Sequence, residues 1–389
     1  MYSSSVSPRQ EVLQQQVHEV GAPSSFAKAH KWTRVQEKLA DKDMPLNCHR
    51  PADMVGADVS LFYCEFDTFV CNCESLPLKF AVEFTIAMSD CYPNENVRKS
   101  TIQRLLGRYL VGESLHSIDN TDFSVVYGGG AALIGEIKNE VGQGGCDSYF
   151  ELIAHYINAV QRMHSMAHKM CPGPCFLMEI TGAHMAIYGA VYTNTACVDR
   201  LTPCLWLALQ QNNRPAMAAL ARTLKALKVA LGRLNHYYTN LPSAAETQVE
   251  FPCFRKFKDE TSRQQTETEI TYTAVIKNHV FRAKTNTDKK VIVKFAEKYG
   301  SDAHRACATN GFAPRLLSVE QVTSRYKMVV MEDLEDAKEL QYYIFPNRSD
   351  KEWLLKRCEE ALKKLHKSGF CHGDFRPINI LVVNNRKDI

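Results

Sequence analysis

Three side chains in the first half of the chain have the types and spacing for phosphoryl chemistry. Asp122 and Glu136 flank Gly128-Gly129-Gly130, and the midpoint of their positions is Gly129. A strand, turn and strand folded symmetrically about the glycines set the two carboxylates opposite each other, with Cβ atoms ~4.5–5.5 Å apart. Lys138 lies two residues beyond Glu136. The two-residue period of a strand points both to the face that Asp122 occupies, with Leu133, Gly135 and Ile137 turned the other way. Adjacent carboxylates on a largely buried sheet repel unless a proton or cation compensates, and a hard divalent ion such as Mg²⁺ is the economical answer. An ion there can activate water against a phosphodiester while Lys138 offsets charge building on phosphorus, which is nuclease chemistry. The plain alternative is an ion-paired strand face, because an acid-x-Lys triplet alone is common.

A second constellation stands near the end of the sequence. His372-Gly373-Asp374-Phe375-Arg376-Pro377-Ile378-Asn379 leads into the apolar run Ile380-Leu381-Val382. A loop of that shape presents the Asp374 carboxylate to a substrate hydroxyl and the Asn379 amide oxygen to Mg²⁺, as phosphoryl transfer requires. Upstream, Lys294 follows Val291-Ile292-Val293. An ammonium on so apolar a strand is costly unless it meets an anion such as a nucleotide phosphate.

The elements that must hold these residues follow from periodicity. Residues 97–110 and 149–163 read as helices around a hairpin of 123–127 and 131–138, and a second hairpin covers 174–181 and 184–193. Residues 213–237 form the longest helical pattern, with Leu220, Leu224, Leu227, Leu231 and Leu234 on one stripe. Its polar face carries Arg222, Lys225, Lys228 and Arg233, a solvated basic face or a phosphate-binding one. Strands at 270–277, 280–285 and 290–295, a helix at 301–309, strands at 316–322 and 326–331, and a helix at 351–367 ending at Gly369 complete the second half. That last helix is expected to leave part of its apolar stripe uncovered. The expected layout is a disordered terminus at 1–30, an α/β domain at 31–240, a linker and the start of the second module at 241–269 and an α+β domain at 270–389.

Composition bounds the rest. The chain's 389 residues carry a net charge of +4, which implies no nucleic-acid binding by bulk charge, so any basic surface must be local. No apolar run approaches the ~20 residues that span a bilayer, so no membrane role is expected. The 14 Cys form no even framework, which favours a reducing compartment, cytoplasm or nucleus, with export by an unconventional route left open. Cys171-Pro172-Gly173-Pro174-Cys175 and Cys71-Asn72-Cys73 lack zinc-site spacing. His164 and His168 lie one helical turn apart without an acid between them, which favours a solvated face over a metal site.

Asp122 with Glu136-Ile137-Lys138 resembles the PD-(D/E)XK nuclease domain. Gly135-Glu136-Ile137-Lys138-Asn139-Glu140 followed by Gly144-Gly145-Cys146-Asp147 is similar to the nuclease-type module of fungal and oomycete Crinkler-like proteins. The resemblance implies a restriction-endonuclease-like α/β core, Asp122 and Glu136 as Mg²⁺ ligands, Lys138 as the catalytic lysine, and nucleic acid as partner. Thr121 stands where that pattern often has proline. The second half resembles the protein-kinase-like fold, fungal-type kinases included, and His-Gly-Asp is closer to atypical and small-molecule kinases than to His-Arg-Asp. This implies an N-lobe with the start of a C-lobe, Lys294 on ATP phosphates, and Met331, Glu332, Asp333 and Leu334 as the hinge against adenine. It further implies Asp374 as catalytic base, Asn379 as an Mg²⁺ ligand, and a protein substrate or partner. Three expected parts are missing: a glycine-rich phosphate loop; an acid between Ala303 and Val319 to orient Lys294, so that its helix partner is absent or replaced by Asp302 or the polar His304; and an Asp-Phe-Gly-like segment before Ile389. The expectation is therefore a truncated kinase-like half with little phosphotransfer. A non-catalytic scaffold or pseudokinase is the alternative.

Overall fold

The computed structural model describes residues 8–48, 58–71, 78–118, 120–139, 145–167, 171–208, 213–241, 250–261, 267–335, 337–345 and 347–383. They form two compact units, Met1–Cys253 and Phe254–Ile389. Among the described residues no helix is long and apolar enough to cross a membrane.

The first unit opens with α1 (Pro8–Val20), α2 (Pro23–Phe26) and α3 (Ala29–Ala40), then α4 (Glu65–Cys71), α5 (Leu78–Met88) and α6 (Glu95–Leu110). Next come β1 (Phe123–Tyr127), β2 (Gly130–Lys138), α7 (Ser148–Ala167), β3 (Cys175–Thr181), β4 (His184–Tyr192), β5 (Ala196–Arg200), β6 (Leu205–Trp206) and α8 (Arg214–Thr239). The sheet runs β1-β2-β3-β4-β5, with β6 beside β4. Among the described strands of this sheet β2 and β3 alone pair in parallel, and α7 is the crossover that joins them. On one face Ile134, Leu177, Tyr188 and Val198 pack with α1, α2, α3 and α7. On the other, Phe66 and Phe69 of α4 set their rings against Phe176. A sheet covered on both faces explains why β2 and β4 read as almost unbroken apolar runs.

Two expectations are corrected here. Residues 8–20 and 23–26 are helical, although disorder is expected through residue 30. The sparse apolar residues Leu13, Val17 and Val20 share one helical face, Leu13, Val20 and Phe26 are buried, and Arg9 is anchored to the Thr193 and Cys171 carbonyls. The triglycine bend is also not symmetric. Tyr127 pairs with Gly130 across a two-residue turn in which Gly128 (φ 54°) and Gly129 (φ 84°) take the left-handed backbone a hairpin turn demands. Val126 then pairs with Ala131 and Val125 with Leu133, leaving Ala132 as the extra residue of a bulge. The bulge shifts the register by one, so the ladder through Phe123 and Gly135 brings Asp122 level with Glu136 after all. Gly135 backs this point. A Cβ there would lie 1.9 Å from the Phe123 ring. Gly135→Ala should accordingly destabilise the chain by about 2–3 kcal/mol in denaturant unfolding.

The second unit contains β7 (Lys256–Lys258), β8 (Glu267–Lys277), β9 (Val280–Thr285), β10 (Lys290–Ala296), α9 (Ser301–Thr309), β11 (Leu316–Gln321) and β12 (Lys327–Glu332). It continues with β13 (Ala337–Glu339), α10 (Arg348–Lys367) and β14 (Leu381–Val383). An antiparallel sheet of order β11-β12-β10-β9-β8-β7 buries Tyr272, Phe281, Val293 and Phe295 on its inner face. The stretch at 241–269, expected to hold a linker and the start of the second module, contains β7, which pairs with β8. α10 starts at Asn347, whose side chain accepts from the Asp350 amide, and packs Leu354 and Cys358 on Ile380 and Val382. Trp353 and Leu355 of the same helix remain exposed.

Candidate functional site

In the first unit the hairpin and two helices converge on Glu136, which is only 3% exposed. Lys138 reaches both Glu136 Oε1 and Glu151 Oε2 at 2.8 Å. His155 Nε2 lies 3.9 Å from Glu136 Oε2. That second Glu136 oxygen is buried with no hydrogen-bond partner. Glu179 makes an instructive contrast, since it sits beside Glu136 in the β2–β3 register on the same face. Its oxygens accept from the Ser148 and Tyr188 hydroxyls, the latter at 2.7 Å. One of these neighbouring carboxylates is satisfied by the protein and the other is not.

Asp122 is level with Glu136, as the hairpin arithmetic requires, but it spends its oxygens elsewhere. Oδ2 accepts from the Ile137 amide at 2.6 Å and Oδ1 pairs with Lys99 at 2.6 Å. α6 fixes this arrangement: Gln103 donates to the Asp122 carbonyl at 2.7 Å, and buried Arg98 bonds the carbonyls of Gly182 and Asn139. The sheet therefore gathers Asp122, Glu136 and Lys138 in one neighbourhood, and α7 adds Glu151 and His155.

The electrostatics follow from the inventory. Lys99 is shared by Asp122 and Glu95, and Lys138 by Glu136 and Glu151, four acids against two ammoniums. Burial first, then the negative charges of Asp122 and Glu151, push the Glu136 carboxyl up to about 8. Burial alone would depress the Lys138 ammonium, yet Glu136 and Glu151 outweigh it and hold Lys138 above its ordinary value. A divalent ion in place of the proton would discharge the same imbalance. Ligand atoms of Glu136, Glu151 and His155 lie within 4.8 Å of one another. Bonds of ~2.1 Å place donors ~3–4.2 Å apart, so the group fits an ion after a modest closure. The imidazole widens the choice, since nitrogen donors suit Mn²⁺ at least as well as Mg²⁺.

Glu151 and His155 were not singled out in the sequence. Their signal is an acid and an imidazole one turn apart at the margin of the buried stripe Leu152, Ile153, Tyr156 and Ile157. The side chains of His164 and His168, the more obvious pair, fall outside the described residues. Cys171 and Cys175 are buried, and burial holds the Cys175 thiol up, against zinc ligation. Cys73 also lies outside the described residues. Of the basic face on α8, Lys228 lies over the Tyr109 ring and Arg233 pairs with Glu65.

In the second unit, Asn379 donates to Asp374 Oδ2 at 2.9 Å and to its carbonyl at 3.0 Å. Asp374 is also clasped by Arg376, which holds its carboxyl below the ordinary range. Both residues are exposed. Lys294 is half-buried on β10 and pairs with no carboxylate among the described residues. Asp302 is no substitute, being exposed and paired with Arg305. At the expected hinge, Met331 and Leu334 are half-buried and Glu332 is exposed, while the Asp333 side chain is turned to Arg282 at 2.6 Å. The Glu332 and Asp333 amides donate to the Arg315 and Lys290 carbonyls, so neither is free for adenine. The β8–β9 connection is a tight Asn278-His279 turn with His279 at φ 61°, not a glycine loop.

Residues 315–388 match the sequence model of the lipopolysaccharide kinase (Kdo/WaaP) family. The second unit is kinase-like. The match contains Asp374, Asn379 and the Met331–Leu334 segment, and it leaves Lys294 and the whole first unit outside. A search of curated proteins returns no match.

Proposed function

We propose that the first unit is a metal-dependent, nuclease-like module on a restriction-endonuclease-like core, joined to a nucleotide-binding kinase-like module. The observation that carries the first half is the unpartnered, buried Glu136 oxygen beside Glu151 and His155, with Lys138 clamped at its other oxygen. Glu136, Glu151 and His155 would hold the ion, and Asp122 would add charge from one step away. A divalent ion so held supplies Lewis acidity toward a phosphoryl oxygen and makes water easier to deprotonate. Lys138 stands ready to stabilise negative charge developing on the phosphoryl oxygens, and Glu151 keeps its ammonium in place. Lys99 offsets Asp122, so the cluster tolerates an anionic substrate.

The test is cleavage of plasmid DNA by the full chain with Mg²⁺ or Mn²⁺. Cleavage that is abolished by chelator supports the reading, and a folded chain that leaves DNA intact with either ion overturns it. For the kinase-like unit, the clasped Asp374 and the absence of a carboxylate on Lys294 among the described residues favour little transfer, and Lys294, bare of acid on its strand, is the group left for a nucleotide's phosphates. Transfer of labelled phosphate from ATP onto the chain or an added protein should be undetectable. Robust transfer that disappears in Asp374→Asn would overturn that part.

A further inference from the structure

Among its described residues the kinase-like unit has no glycine loop between β8 and β9 and no acid paired with Lys294, and the structure supplies groups near both positions. Val280 on β9 pairs with Lys277 of β8 on one side and Lys294 of β10 on the other. Directly opposed residues share a face, so the two lysines stand on one face with a single strand between them. Two strand spacings separate their backbones by roughly 9–10 Å. Long stems on such a base suit an oligophosphate better than a single phosphate. The exposed Lys277 has only a loose 3.8 Å pairing with Glu339, which is weak at such a surface. Burial and the charge of Lys277 lower the Lys294 ammonium, the signature of two like charges awaiting an anion.

Lys294 is supported from the helix side by an aromatic ring. Its ammonium lies 5.9 Å from the centre of the Tyr299 ring, within cation–π range. Tyr299 is held in turn by His304 on α9. His304 Nε2 is 2.7 Å from the Pro314 carbonyl, which can only accept, so Nε2 carries the proton. Nδ1 then accepts from the Tyr299 hydroxyl at 2.6 Å. Burial keeps His304 below its ordinary range and pushes the Tyr299 hydroxyl up to about 12, which preserves these roles at neutral pH.

We propose that Lys277 and Lys294 form a two-lysine clamp for the phosphates of a nucleoside polyphosphate, with Tyr299, anchored by His304, positioning Lys294 where kinases commonly use a helix carboxylate. This rests on the nucleotide-binding reading of the kinase-like unit. The experiment is calorimetric titration of the full chain with Mg²⁺·ATP and, separately, adenosine. Lys277→Ala should weaken ATP about tenfold and adenosine less than about twofold, because a charge-assisted contact is lost only to phosphate. Tyr299→Leu should weaken ATP about five- to tenfold, while Tyr299→Phe, which keeps the ring but loses the hydrogen bond to His304, should weaken it by an intermediate factor of about two to three. If Lys294→Met abolishes ATP binding but Lys277→Ala leaves it unchanged, the clamp is wrong and the nucleotide reading survives. If the wild-type chain binds neither ligand, the nucleotide reading fails and the clamp with it. Lys277 is exposed, so its variant tests the idea without risk to folding.

Discussion

Lys138→Ala should reduce metal-dependent cleavage of plasmid DNA by at least about a hundredfold, the usual cost of removing a preorganised group aimed at developing charge. The ammonium is held at 2.8 Å by two carboxylates from different elements, so its position is set before any substrate arrives. Removing it leaves Glu136 and Glu151 without their shared counter-charge, which favours a divalent ion. Metal affinity should therefore rise or stay level while cleavage collapses. A merely structural lysine would lose both together. Measuring cleavage rate and ion affinity on the same preparation separates the two cases.

Glu136→Gln should reverse that pattern and add a pH signature. The folded carboxyl titrates near 8 against an ordinary 4.5, so the native state holds its proton more tightly than the unfolded chain does. The stability this contributes is present in full below pH ~4.5 and is lost as the pH rises through ~8. Glutamine has no proton to lose. The Tm of Glu136→Gln relative to wild type should climb between pH 5 and 9, with the variant the more stable at the upper end and unable to gain from Mn²⁺. A constant Tm difference across that range would contradict the assignment of Glu136 as the strained member of the cluster. Such a trade of stability for function is common at active sites.

What could be read in the sequence was the local part. Period two on either side of a glycine turn located β1 and β2, and period 3.6 located α6, α7 and α8 within a few residues. The pairing of Asp122 with Glu136 came from a symmetric turn, whereas the chain reaches it through a two-residue turn plus the Ala132 bulge, two offsets that cancel. Less was legible where tertiary contact decides. Glu151 and His155 come beside Glu136 only because α7 crosses between parallel strands and lays their turn over it, and nothing local to α7 announces that. The α1 helix was hidden because its apolar residues are few. Asp333 looked like a hinge residue by position, but Arg282 on the neighbouring strand claims it. The missing acid for Lys294 and His304 as one candidate replacement were legible in the sequence, whereas the Tyr299 ring that stands between Lys294 and His304 was not, because its place depends on the fold.

The most direct test of the Glu136-centred site is a calorimetric titration of Mn²⁺ into the full chain at pH 8, beside Glu136→Gln and His155→Ala. The expectation is saturable binding by the wild type, none by Glu136→Gln, and binding weakened about tenfold or more in His155→Ala. Equal binding by all three proteins, or none by the wild type, would contradict it.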